Sequence, residues 1–167
     1  MKRSTLTEKE TQIVNLGGSI AAGCQPCTKY HINKCKSKGM SDNDIHNAIK
    51  KIEKICNIAL GAMISSALNR VNVSKDREID LLVECDNRQD ILIGLAVSYT
   101  INSTTLFEEY LNLANKLEIS KKEISAIIDI SKFIYDKAKA HVDILSEESG
   151  VEKQIIDRGN CSPGCGC

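Results

Sequence analysis

Little in this 167-residue chain interrupts a helix. It has two prolines, Pro26 and Pro163, no tryptophan, and aromatic residues at only 4 %. Proline breaks helices and aromatic residues favour strands, so their scarcity beside many Ile, Leu, Lys and Glu predicts a mostly helical protein. Net charge is lacking too. Lys plus Arg and Asp plus Glu each number 22, giving a formal charge of zero, which argues against a broad electrostatic footprint for nucleic acid. No apolar run reaches the roughly 18 residues that span a bilayer, so no membrane partner is expected. The start, Met1 to Glu8, turns polar at once and shows no secretory leader, which points to a cytoplasmic protein. The length fits one domain or two small repeats.

Cysteine is what the chain has in excess: eight residues. In a reducing compartment, closely spaced cysteines are more often catalytic or metal-binding than structural disulfides. Cys56 and Cys85 stand alone among apolar neighbours and are expected to pack as small core residues. Cys24, Cys27 and Cys35 share one segment, and Cys161, Cys165 and Cys167 end the chain.

Caps and stripes predict the helices. Thr7-x-x-Glu10 is a capping box before Ile13, Leu16 and Ile20, and that helix should stop near Gly23. Pro26 suits the first turn of a second helix, where its missing N–H costs nothing, and Gly39 is placed to end it. Ser41 and Asp44 start a third helix with the stripe Ile45, Ile49, Ile52, Cys56, Ala59, Met63, Ala67. A further helix is expected over about 75–86. A shift of 79 residues then lays Leu16 on Leu95, Ser41 on Ser120, Ile45 on Ile124 and Ala59 on Ala138. The expectation is therefore an all-α bundle of two helical repeats. Residues 1–72 would form the first repeat, 73–148 a degenerate second one, and 149–167 a flexible cysteine-rich tail. In this register Cys24, Cys27 and His31 face Ser103, Leu106 and Tyr110, so reactive groups remain only in the first copy.

Spacings of three and four residues put Cys24, Cys27 and His31 on one helical face, with Cys35 on the same stripe. Cα atoms at i and i+3 lie about 5 Å apart, within disulfide range. Cys24 falls at the helix N-terminus, where free N–H groups and the dipole favour a thiolate, and Lys29, Lys34, Lys36 and Lys38 push the same way. His31, one turn past Cys27, can move a proton to or from the nearer sulfur. The residues thus describe a dithiol redox centre. A metal site is the alternative, but Cys24 and His31 are separated by about 10 Å of helix rise. All three cannot reach one tetrahedral zinc; two could, with ligands from another segment. His46 and His141, next to charged residues, are expected to be solvated, and Tyr30 either to line a pocket or to pack in the core.

The run Ala21-Ala22-Gly23-Cys24-Gln25-Pro26-Cys27-Thr28-Lys29-Tyr30-His31, followed by Gly39 and Ser41-Asp42-Asn43-Asp44-Ile45, resembles the alkyl hydroperoxidase D-like, or carboxymuconolactone decarboxylase-like, family. The resemblance implies an all-α fold around a Cys-x-x-Cys-x-x-x-His helix and assembly into oligomers, which for a two-repeat chain means a trimer. It also implies that Cys27 attacks peroxide, that Cys24 resolves the intermediate as a disulfide, and that His31 belongs to the proton relay. The expected activity is thiol-dependent reduction of a small peroxide or disulfide, with a thiol reductant protein as partner and no cofactor for the dithiol chemistry. One position departs from the family: a relay glutamate about twelve residues before the first cysteine is Gln12 here, which can hydrogen-bond but cannot carry the proton. The tail, Gly159 to Cys167, lies outside the family pattern. Its three thiols read either as ligands for a soft metal or metalloid, alone or completing a site with Cys24 and Cys27, which would make the protein a metal-binding one, as a mobile dithiol that re-reduces the helix motif, or as an inert end.

Overall fold

The computed structural model describes residues 5–71, 85 and 87–150. The predicted helix over 75–86 lies outside these residues except for Cys85, which is not helical, and the tail ligands Cys161, Cys165 and Cys167 lie outside them altogether. Among the described residues the protein is all-α, with six helices and no strand. They are α1 (Glu8–Ala21), α2 (Gln25–Ser37), α3 (Asp42–Arg70), α4 (Arg88–Thr100), α5 (Thr104–Lys116) and α6 (Lys121–Glu148).

The caps form where the sequence places them. Thr7, Ser41 and Ser120 each close a capping box with Glu10, Asp44 and Glu123, satisfying backbone donors that a helix start leaves unpaired. Gly23 and Gly39 leave α1 and α2 at φ +67° and +76°, the left-handed region that costs glycine least. The residues 79 positions later, Asn102 and Glu118, turn the chain the same way at φ 56° and 54°.

α1 and α4 form the centre. α4 is buried from Asp90 to Val97 and on nearly every side, as an all-round apolar helix must be. α1 packs on α4, with Gly17 set against Val97. α3 and α6 each pack on both central helices, while α2 lies on α1 and α5 on α4. Ile13, Leu16, Ile52, Leu92, Leu95, Leu106 and Ile127 fill the core. Cys56 and Cys85 are half-buried and pack against it. Cys35 is wholly buried, and burial pushes its thiol up to about 11, so it remains a protonated core residue.

An Arg88 side chain joins the ends of three helices. Its Nε donates to Glu10 Oε1 and a terminal nitrogen donates to Glu123 Oε1, both at 2.7 Å. These bonds hold the starts of α1, α4 and α6 together, with Glu123 2 % exposed. Lys51 on α3 pairs with the buried Asp90 of α4.

Candidate active site

The site begins at the turn between α1 and α2. Gly23 reverses the chain, and Cys24 becomes the N-cap of α2, accepting the Cys27 N–H on its sulfur at 3.4 Å. Pro26 occupies the first turn, as the sequence predicts. Cys24 is 6 % exposed, and Cys27 is the less buried residue of the two. Negative charge on Cys24 is met by the helix N-terminus and by that N–H. Burial pushes the Cys27 thiol up to about 11, and its hydrogen bond to Cys24 and the charge there act the same way. Lys137 of α6 opposes this rise. Burial and the neighbouring sulfur thus both favour the protonated form of Cys27.

The third member of the site comes from the far end of the sequence. His141 on α6 places Nδ1 3.2 Å from Cys24 Sγ and 3.8 Å from Cys27 Sγ. The expectation that His141 is a solvated surface residue fails: it is half-buried against the dithiol. α6 packs on α1, and this brings residue 141 over the start of α2. No local signal marks it, because the histidine lies 117 residues from Cys24. Cys24, Cys27 and His141 hold their sulfur and nitrogen atoms within 4.8 Å of one another, a group able to hold a metal ion.

His31 is buried on α2, and its recorded hydrogen-bond partner is Gln12 rather than a sulfur. Its Nδ1 lies 3.3 Å from Gln12 Oε1 on α1; with the amide oxygen accepting, the ring is the donor. Burial lowers the His31 pKa, and the nearby Lys34 charge lowers it further. The ring is thus held neutral, against an amide that neither gives up nor accepts a proton. Tyr30 does not pack in the core. It is 55 % exposed, lies edge-on to His31, and carries Lys34 over its ring.

Ala22, Tyr135, Ala138, Lys139 and Val142 line a shallow pocket of about 170 Å³, of which Cys24, Cys27 and His141 are not part. Its walls are sequence neighbours of Cys24 and His141, and it suits a small, partly apolar molecule.

Residues 1–63 match the family model of the Carboxymuconolactone decarboxylase family. The resemblance read from the Cys-x-x-Cys-x-x-x-His run is borne out over that stretch. No curated protein and no solved structure matches the chain significantly.

Proposed function

From a chain whose residues 1–63 carry the Carboxymuconolactone decarboxylase family pattern, we propose a thiol-dependent oxidoreductase that reduces a small disulfide or peroxide. The observation that carries this reading is the meeting of two sulfurs and an imidazole nitrogen within 4.8 Å. The reactive state holds a thiolate on Cys27, a thiol on Cys24 and a proton on His141. The attacking form needs the Cys27 proton to leave against the burial that holds it, and His141 Nδ1, 3.8 Å away, is placed to take it. Cys27 attacks one sulfur of a disulfide, the S–S bond breaks, and the leaving thiolate takes the proton from His141. Cys24 then gives its proton to His141 and attacks the mixed disulfide, closing Cys24–Cys27 and releasing the second thiol. A peroxide follows the same path through a sulfenic acid on Cys27 and releases water when Cys24 closes the bond. Two electrons leave the protein in each case, and an external thiol reductant restores the pair.

His31 keeps a supporting role. Bonded to Gln12, it orients α2 against α1, and His141 takes over the relay that the family pattern assigns to His31. We read the two helix triplets, offset by 79 residues, as copies of one unit in which only the first kept reactive groups. A trimer of chains fits the exposed apolar side chains Leu60, Met63, Phe133 and Leu145 on the two longest helices; a monomer in light scattering would overturn that part. A reducing, cytoplasmic setting suits a dithiol that must be recycled. Among the described residues no helix is long and apolar enough to cross a membrane.

The test is turnover with a small aromatic disulfide and an organic hydroperoxide, using dithiothreitol as reductant. Cys27→Ser is expected to abolish reduction of both, and Cys24→Ser to stall as a mixed disulfide visible by mass spectrometry. His141→Ala should cost about 10²–10⁴-fold, the range of a lost general acid–base group, while His31→Ala costs much less. Full turnover by Cys27→Ser sinks the proposal. A larger loss in His31→Ala than in His141→Ala returns the relay to His31.

A further inference from the structure

The same three atoms have the spacing of metal ligands. In a tetrahedral zinc site, bonds of about 2.3 Å to sulfur and 2.1 Å to nitrogen put sulfur and nitrogen about 3.6 Å apart. The two sulfur–nitrogen separations here are 3.2 and 3.8 Å, one on each side of that value. A single helix could not achieve this. Cys24 and Cys27 use one turn of α2, and His141 closes the triangle from α6. The donor set suits the ion: two thiolates and an imidazole are soft to borderline ligands that favour zinc over magnesium or calcium. Two thiolates also neutralise a divalent cation, so the site can be filled without leaving net charge in a half-buried place.

We propose that Cys24, Cys27 and His141 form a binding site for one zinc-class metal ion, with a fourth position on the exposed side for water or an external thiolate. Binding displaces the protons that the two sulfurs carry and releases them to solvent; no electrons move. Because the metal takes both sulfurs, the bound state and the Cys24–Cys27 disulfide exclude each other. Zinc then protects the dithiol from oxidation and switches off its turnover, and oxidation of the pair expels the ion. This site is separate from any metal held by the tail thiols, and its existence does not depend on the catalytic proposal above.

Cobalt(II), added to the reduced full-length protein without oxygen, is the probe, because thiolate-to-cobalt charge transfer and intense visible bands report tetrahedral sulfur ligation. The background is Cys161→Ser/Cys165→Ser/Cys167→Ser, which removes the tail thiols and leaves the described residues unchanged. One cobalt per chain is expected there, displaced by one zinc, with loss of the charge-transfer band in Cys24→Ser and in Cys27→Ser. His141→Ala should weaken affinity by about 10–100-fold or more, since removing even an outer partner of a ligand costs that much. Circular dichroism of each variant checks that the helices persist, and His141→Gln serves if the alanine protein does not fold. No cobalt uptake in the tail-free background, or equal affinity with and without His141, overturns the proposal. Zinc binding without turnover would sink only the oxidoreductase reading; turnover without metal uptake would sink only this one.

Discussion

At the scale of single residues, Gln12 stands against His31, and His141 rather than His31 lies against the two sulfurs. Gln12 holds the His31 ring at 3.3 Å but offers no charge, and burial with Lys34 nearby keeps the imidazole neutral. A carboxylate at that place would reverse the balance, because an opposite charge within hydrogen-bond distance favours the protonated ring. Gln12→Glu is expected to raise the His31 pKa by about 1–2 units, read from the pH dependence of its ring-proton resonance. An unchanged titration would mean that the side chain at 12 does not face the ring in solution. The groups around His31 that enter this reading are Lys34 and Tyr30 on its own helix and Gln12 on α1. The Cys-x-x-Cys-x-x-x-His spacing made Cys24, Cys27 and His31 legible in the sequence. The Gln12–His31 contact was readable only as a position at odds with the family pattern. His141 was not readable at all, since a histidine among lysines and aspartates on a long helix looks solvated.

At the scale of elements, caps and breaks were the most legible features, because their physics is local. The capping boxes at Thr7, Ser41 and Ser120 need only residues three apart. Two glycines show the limit of such reading. Gly39 ends α2 at φ +76° with only Lys9 Nζ near a Cβ, at an ordinary contact distance of 3.9 Å, so backbone conformation is what opposes a side chain there. Gly39→Ala should therefore cost about 1–2 kcal/mol, a fall of roughly 3–6 °C in Tm. Gly94 lies inside α4 with ordinary helical torsions, and the sequence gives no reason for it. A Cβ at that position would overlap the ring of Tyr110, which packs flat on the α4 backbone. Gly94→Ala should cost at least as much as overpacking usually does, about 1–3 kcal/mol. Gly94→Ala combined with Tyr110→Leu should recover part of the loss. Thermal unfolding of the three proteins decides it; a silent Gly94→Ala would mean that α4 and α5 are not packed this closely.

At the scale of the whole molecule, the starts of α1, α4 and α6 depend on Arg88. Burial raises the Glu10 carboxyl, but the Thr7 backbone bond, Arg88 and the Thr7 hydroxyl together outweigh it and hold the pKa below 4.5. Glu123 is likewise raised by burial and lowered further by Ser120 and Arg88. Carboxyls with lowered native pKa values stabilise the fold above their unfolded value near 4.5, and that stability is lost as pH falls through the native values. Arg88→Met removes the guanidinium from two carboxylates that keep their capping bonds to Thr7 and Ser120, and about 3 kcal/mol should be lost near neutral pH, as when a buried pair is broken. The difference from the parent should shrink toward pH 3, where the stranded carboxyls are protonated. Urea unfolding at the two pH values checks it, and a gap that stays constant with pH would refute the electrostatic account.

The sequence by itself determined the caps of α1, α3 and α6, most of the core stripe and the Cys24–Cys27 pair, because each depends on interactions within a turn or two of the chain; the α3 stripe ends at Ala59, since Met63 and Ala67 are exposed. It also exposed the offset of 79 residues, which the helix limits of α2 and α5 match residue for residue. Only the tertiary structure decided which histidine meets the sulfurs. That choice depends on α6 packing across α1, a contact between residues 117 apart in the chain, and helical periodicity carries no information about which face of one helix will lie over the end of another.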